Sequence, residues 1–467
     1  MRNRSDIKIR KRKEPNMLDG PLFGNIVSYT IPIILTGFLQ LLFNAADLVV
    51  VGQFCGELSV AAVGNTGAIT ALIVNLFIGF SVGTGVSVAQ GLGSNDIKSV
   101  HRTIHTSIPT ALVGSVIITV VGVLFSEKFL LMMDTPESVL HLSATYMKIY
   151  FAGSVFMLIY NFCASILRAA GDTRSPLIYL VVSGIINVVL NVIFVTIFHL
   201  NVAGVALATT ISQGVSAILV VIALMRRDDA CKLFPKKIRF YKKQLLQIIR
   251  IGLPAGLQSS LFSISNVIIQ SSINSFGDTL MSGNAAAANI ESFIFVLLNA
   301  FHQTALNFIA QNDGARKYKR VKKVYLLSII CVFSSTLVFG GLILLFGKPL
   351  LSIYIPDSPE ALALGLVRMT YMCIPYCLCG LMDTTTGALR GMGVSLAPMI
   401  ISILGVCGIR IAWIYTIFQI PQYHTPQCLY ISYAISWAIT FVVQLGVFIA
   451  VYKKRNKSNK LELSVEI

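Results

Sequence analysis

Thr36–Gly52 reads TGFLQLLFNAADLVVVG, an apolar stretch long enough, with its flanks, to cross a bilayer as a helix. Thr36, Gln40, Asn44 and Asp47 interrupt it at steps of three or four residues, so all four share one helical face. A carboxylate at bilayer depth costs about 2.5–3.5 kcal/mol on insertion scales. Such acids usually face a bundle interior or a watery cavity, where they serve a function. The plainer reading of Asp47 is an acid at a helix end that reaches headgroup water.

The surrounding composition fixes the class. Of 467 residues, 55% are hydrophobic and 12% charged, and the mean hydropathy is +0.77. Soluble domains carry about 25% charged residues, so this is a polytopic membrane protein. Repeated runs of about twenty apolar residues mean helices, because barrel strands would be short and alternating. The runs predict twelve spans. Those of the first half cover 26–52, 58–90, 104–125, 141–167, 176–198 and 203–225. Those of the second cover 246–274, 280–311, 324–346, 364–389, 395–419 and 428–452.

A net charge of +17 raises nucleic acid as a partner, but the distribution of charge argues against it. Basic residues gather at Arg2–Lys13, Lys98–Arg102, Arg168–Arg174, Arg226–Arg250, Arg316–Lys323 and Lys453–Lys460. The loops between, Ser126–Ser138 and Tyr354–Ala361, are acidic or nearly neutral. That alternation follows the positive-inside rule and places both termini in the cytoplasm of a cell-membrane protein. The basic surplus is topological, with attraction to anionic lipid as a consequence. The basic N-terminus runs into a long span without a small-residue cleavage site, so the first span is expected to stay in place. The expected organisation is a basic tail (1–25), a first lobe (26–225), a charged linker (226–244), a second lobe (245–452) and a basic tail (453–467).

The two halves repeat. Pro32 answers Pro254, Asn44 answers Asn266, Arg168 answers Arg390, Gly171 answers Gly393 and Pro176 answers Pro398, each 222 residues on. Val88-Ala89-Gln90-x-x-Gly93 answers Ile309-Ala310-Gln311-x-x-Gly314, one residue out of step. Six spans per half give both halves the same orientation. The fold class is therefore all-α, two six-helix bundles related by a pseudo-twofold axis along the membrane normal, a transporter architecture.

Polar faces mark candidate sites. In the seventh span Ser259, Ser263, Asn266, Gln270 and Asn274 line one helical face. Such a stripe either glues helices together or lines a shared cavity, and five residues exceed the needs of one contact. Asn187 and Asn191 share a face of the fifth span, and Thr209 with Thr210 lie in the sixth. Carboxylate, amide and hydroxyl oxygens suit a hard cation such as sodium. The same setting around Asp47 suits a proton, loaded and released as water access changes. Glu291 and Arg410 lie at similar depth in the second half and form the expected ion pair; Glu291 reads equally as a binding acid. Asn299, Gln303 and His302 continue the Glu291 face. Asp383 is close enough to the membrane edge to reach water. Gly79-x-x-x-Gly83 permits close helix approach. Of the 9 cysteines, Cys373, Cys377 and Cys379 lack the histidine or acid that would complete a metal set and read as packing residues. No G-x-x-x-x-G-K-[ST] loop binds nucleotide, and nothing reads as an enzyme's catalytic group.

These residues resemble the multidrug and toxic compound extrusion (MATE) family, bacterial branch, over roughly Met17–Lys454. The resemblance rests on Asp47-Leu-Val-Val-Val-Gly52 and on Ala89-Gln90-x-x-Gly93. It rests also on Ser165-Ile-Leu-Arg168-Ala-Ala-Gly171-Asp-Thr-Arg174-x-Pro176 and its echo Ala388-Leu-Arg390-Gly-x-Gly393-x-x-x-x-Pro398. It implies an antiporter of two lobes forming a V, exporting substrate as protons or sodium enter. Asp47 matches the first-span acid of the family's cation site, Asn187 its fifth-span asparagine and Thr209 its sixth-span hydroxyl. Asn191 stands where some members carry a second acid, leaving Asp47 as the sole carboxylate.

The expected function is cation-coupled multidrug efflux by a monomer in the membrane lipid, with H+ or Na+ as coupling ion and no cofactor. Substrates would be small amphipathic organic cations. Gln40, Asn44, Ser263, Asn266, Gln270, Glu291, Asn299 and Gln303 are the candidate cavity residues, with no metal beyond sodium at Asp47. The alternative is a lipid-linked oligosaccharide flippase of the same superfamily, which would need a strongly basic cavity, and Arg410 is nearly alone. A channel or a purely structural membrane protein fits the duplication less well.

Overall fold

In the computed structural model, residues 15–133, 135–356 and 358–465 are described; the basic cluster Arg2–Lys13, Asp134 and Asp357 lie outside them. Among the described residues every regular element is helical. Among these residues ten helices are long and apolar enough to cross a membrane, and two bent pairs, each taken as one span, raise the count to twelve. The first six spans are Leu22–Cys55, Glu57–Gly93, Ile97–Leu131, the pair Glu137–Ala152 and Ser154–Ala169, Arg174–Ile197 and Asn201–Met225. The second six are Lys242–Asn274, Asp278–Gly314, Tyr318–Leu345, the pair Pro359–Met372 and Tyr376–Gly391, Leu396–Gln419 and Pro426–Val465.

The fourth and tenth spans, expected as continuous, bend by 46° and 48°. One bend falls at Gly153, where the helix lies so close to Thr210 that a Cβ would strike its side chain. The other falls at Ile374–Pro375, where proline withholds a backbone donor from the helix ladder. The fifth and eleventh spans carry matching π-helical turns, Ile193–Ile197 and Ile403–Gly408. Gly171 (φ 101°) and Gly393 (φ 75°) close the matching turns after the bent spans in the left-handed region that glycine enters freely. The duplication read from 222-residue spacings is thus a duplication of bends as well as of residues. The last helix continues to Val465, through the segment expected as a tail.

Exposure is inverted, as lipid requires. Val116, Ile117, Val120 and Leu124 of the third span and Val338, Leu342 and Leu345 of the ninth are exposed, while Ser107, Thr304 and Gln444 are buried. The two bundles meet along the second and seventh spans. Gly79 and Gly83 face Gly252 and Gly256 so closely that a Cβ on any of the four would collide with the opposite backbone. Small residues allow this approach, and dispersion contacts between the backbones hold it. Gly83→Leu is expected to cut the yield of folded protein at least several-fold in fluorescence-detected size exclusion, because backbone cannot yield as a side chain can. A Gly24→Leu control, where nothing lies within 4 Å, should express as wild type.

Further contacts between bundles run from the basic ends of the helices to mid-depth. Gln311 Nε2 donates to Ala169 O (2.7 Å), and Gln90 Nε2 donates to Gly391 O (3.0 Å). Thr30 and Thr304 share a hydroxyl hydrogen bond (2.9 Å), and Ser260 Oγ donates to Leu72 O (2.9 Å). Phe38 packs on Phe293 with ring centroids 5.6 Å apart.

Candidate functional site

Beyond mid-depth, the first and fifth spans approach closely at one glycine. The ring of Phe43 lies where a Cβ on residue 184 would stand, so Gly184 lets the two helices close. Both helices start at the basic face and run parallel. One turn beyond Phe43 is Asp47; one and two turns beyond Gly184 are Asn187 and Asn191. Asn191 Nδ2 accordingly donates to Asp47 Oδ1, and also approaches Asn187 Oδ1 at 3.4 Å. Asn187 Nδ2 donates to Thr209 Oγ1 at 3.3 Å, and Thr209 and Asp47 line the same cavity. Four residues from three helices, separated in sequence by as many as 162 positions, therefore form one connected polar group.

Asn191 is fully buried, and its Oδ1 has no hydrogen-bond partner. A buried carbonyl oxygen left so costs about 1–3 kcal/mol, which a cation or a water would relieve. Asp47 is half-buried and opens on a cavity of about 250 Å³. Gln40 and Asn44 line the same cavity, as do Asn161, Tyr160 and Gln213. Thr209, Ser212, Gln213 and Ser216 lie at i, i+3, i+4 and i+7 on its wall, a polar stripe on the sixth span that the sequence displays and the reading above stopped short of.

On the seventh span Ser259, Asn266, Gln270 and Asn274 are exposed and Ser263 is half-buried. Hydrocarbon does not tolerate a row of exposed amides, so this face borders a watery cleft between the bundles. Gln270 joins the stripe to the eighth span: its Nε2 donates to Asn274 Oδ1 (2.8 Å), and its Oε1 accepts from Asn284 Nδ2 (3.3 Å).

The expected Glu291–Arg410 pair does not form. Glu291, 1% exposed, is bound by Arg368 through two parallel hydrogen bonds, Nε to Oε1 (3.0 Å) and Nη2 to Oε2 (2.7 Å). Tyr376 OH adds a third at 3.2 Å, and Arg368 Nη1 also donates to Asn284 Oδ1 (2.6 Å). Glu291 is therefore no cavity acid either: it is sealed inside the second bundle. Arg410 instead donates through Nε to Ser436 Oγ (2.9 Å) and lies over the rings of Tyr433 (3.9 Å) and Trp437 (5.4 Å). Similar depth left both arginines available; rotation of the helices about their axes chose Arg368. That residue escaped the sequence reading because it sits one turn inside the span expected from 364, where an arginine passes for a membrane-edge residue.

The face expected to continue from Glu291 divides. Asn299 is exposed and Gln303 half-buried, whereas His302 turns inward with Glu291. His302 Nδ1 donates to Asp383 O (2.9 Å) and Oδ1 (3.1 Å), leaving Nε2 to accept from Arg390 Nη1 at 3.5 Å. Arg390 Nη2 donates to Gln258 Oε1 (2.8 Å). Asp383 thus reaches His302, not only water.

Known proteins share both the sequence and the fold. The MatE family model matches residues 32–193 and again 254–416, one match in each half. The chain is 28% identical over 398 residues to the probable multidrug resistance protein YpnP of Bacillus subtilis, covering 85% of this chain and 89% of that protein. It is 26% identical over 441 residues to the probable multidrug resistance protein YoeA of the same organism, covering 91% and 93%. The multidrug export protein MepA of Staphylococcus saprophyticus is 22% identical over 387 residues, covering 82% and 84%. Among solved structures, an outward-facing multidrug resistance MATE transporter superposes with a TM-score of 0.88 at 22% identity, covering 96% of this chain and 99% of that one. A transporter of the MOP superfamily from Pyrococcus furiosus, described as having a binding pocket of reversed polarity, superposes with a TM-score of 0.89 at 22% identity, covering 95% and 99%.

Proposed function

We propose a function from one premise: the chain belongs to the MatE family, whose members are membrane transporters and not enzymes. The chain exports small organic molecules across the cell membrane, as the names of its relatives imply for them. The basic face is cytoplasmic, by the positive-inside rule, and both termini lie there. The bundles meet from that face to mid-depth, and the polar faces of the first and seventh spans are exposed beyond it. This arrangement is the outward-facing state, with the substrate path running along Gln40, Asn44, Ser263, Asn266 and Gln270.

Transport is driven by exchange for a cation held at Asp47. The observation that carries this reading is the convergence of Asp47, Asn187, Asn191 and Thr209 beside the first-bundle cavity. Asp47 supplies the only carboxylate of that group, so neutralising it changes the group's net charge from −1 to zero. A proton or a sodium ion does this equally well in electrostatic terms. Sodium would in addition draw on the carbonyl oxygens of Asn187 and Asn191. Exchange follows from linkage: the cation and the substrate must favour opposite-facing states. The fifth-span π turn begins two residues after Asn191, and such turns are places where a helix can change its pitch at small cost.

The flippase alternative gains nothing from the additional buried arginines. Arg368 is paired with Glu291, Arg390 donates to Gln258, Arg410 lies over aromatic rings, and none of the three lines the Asp47 cavity. The decisive experiment places purified protein in vesicles with a fluorescent organic cation and imposes either a proton or a sodium gradient. Export under one of them is expected, and that one identifies the ion. Export under neither would overturn the proposal.

A further inference from the structure

At the basic face each bundle caps a helix of the other. Gln90, three residues before the end of the second span, donates through Nε2 to Gly391 O (3.0 Å), where the tenth span ends. Gln311, three residues before the end of the eighth span, donates through Nε2 to Ala169 O (2.7 Å), where the fourth ends. The donors are 221 residues apart and the acceptors 222, the spacings of the duplication itself. One contact is thus made twice, each bundle giving the donor once and the acceptor once.

A helix leaves its last carbonyls without an intrahelical donor, and its dipole makes that end negative. Among the described residues no backbone N–H hydrogen-bonds Ala169 O or Gly391 O. A side-chain amide from the opposite bundle serves each instead. Glycine makes room on both sides: a Cβ on Gly93 would strike the backbone at Gln311, and one on Gly314 the backbone at Gln90. Such bonds are suited to breaking and reforming. Where the bundles part, water can take over both the amide and the carbonyl, so only the closed arrangement depends on the pair. Space for water already borders one of them, a cavity of about 420 Å³ walled by Ser87, Gln90, Ser94, Asp313 and Arg455. There Gln90 Nε2 also reaches Asp313 Oδ2 at 3.4 Å, and Arg455 is bonded to the same carboxylate.

We infer that Gln90 and Gln311 form a reciprocal latch that holds the bundles together on the basic side, and that its release accompanies the turn to the state open on that side. The inference rests on the outward-facing reading above. Both glutamines are positioning residues, since neither lines the cavity beside Asp47. They act on the balance between the two facing states and not on the ion or the substrate.

The test uses the full-length chain in lipid nanodiscs without a gradient, with the half-buried Cys55 and Cys331 replaced by serine. Spin labels at Lys98→Cys and Lys319→Cys, exposed positions that open the third and ninth spans, report the separation of the bundles at the basic face. Separately, Thr304→Cys lies buried where the bundles meet, so its rate of reaction with a water-soluble thiol reagent follows even a small parted population. Wild type should show mainly the short separation. Gln90→Met and Gln311→Met keep the length of the side chain and remove the donor. Each should raise the reaction rate by about 2–13-fold, the ordinary worth of one hydrogen bond, and the double substitution by more than either. Gln90→Asn keeps the amide but falls one methylene short, and should match Gln90→Met; it covers the case in which the double substitution does not fold. Gln444→Met breaks buried bonds to Ser402 and Thr386 inside the second bundle, and should lower the melting temperature while leaving the rate unchanged. Wild-type rates in all the latch variants would overturn the inference. So would an equal rise in Gln444→Met, which would mark a loosened fold. A wild type with mainly the long separation would overturn the outward-facing reading and the latch with it, a result distinguished from the others because it needs no variant of either glutamine.

Discussion

Asp47→Asn should lower gradient-driven export of an organic cation by about 5–150-fold, the range spanned by a coupling free energy of 1–3 kcal/mol. The substitution is nearly isosteric and retains hydrogen bonding to Asn191, so folding should be unaffected. What it removes is the charge. Without it the site has nothing for a proton or sodium to neutralise, and the imposed gradient loses its hold on the equilibrium between facing states. Substrate binding measured without a gradient should change far less, which separates coupling from recognition. Asp47→Glu keeps the charge but is longer by one methylene in a site fixed by the Phe43–Gly184 contact, and should retain part of the activity. Wild-type rates in Asp47→Asn would refute the assignment of the coupling ion to this carboxylate.

Arg368→Met should destabilise the protein by about 3–5 kcal/mol, seen as a large fall in melting temperature and in folded yield. The methionine fills much the same space, so the loss does not come from a cavity. It comes from leaving Glu291 charged, 1% exposed, and deprived of both guanidinium hydrogen bonds. The double substitution Glu291→Gln with Arg368→Met removes the stranded charge and should recover most of the stability. Buried pairs often contribute little net free energy, because desolvation offsets attraction. A double variant as unstable as Arg368→Met alone would show that the arginine matters instead through Asn284, and hence through the exposed Gln270–Asn274 row.

The sequence made the architecture legible for a physical reason. Hydrocarbon forces every backbone polar group into its own helix, so a span is written as a length of apolar residues and needs no partner to be recognised. Thus the run containing Asp47 predicted the first span, and the 222-residue echoes of Pro32, Arg168 and Gly171 predicted two like bundles. The polar face of the first span was legible too, because Gln40, Asn44 and Asp47 follow the helical period. Asn187, Asn191 and Thr209 were picked out by their depth and their match to the family pattern. What the sequence did not show is how Gly184 lets Phe43 close the gap that brings them to Asp47.

Pairing between helices is a different kind of information. Depth along a span can be counted, but the direction in which a side chain points around the axis depends on how twelve helices are rotated together. Glu291 and Arg410 stood at one depth and pointed apart, while Arg368, which the spacing of the sequence did not single out, faced the carboxylate. Asn299 and His302, three residues apart, were expected on one face and divided between surface and core. The sequence by itself determined that this is a duplicated twelve-span membrane protein with a single carboxylate on the polar face of its first helix. Only the tertiary structure decided which partners that carboxylate and the buried charges of the second bundle meet, because azimuth is set by packing across the whole assembly and not by any stretch of chain.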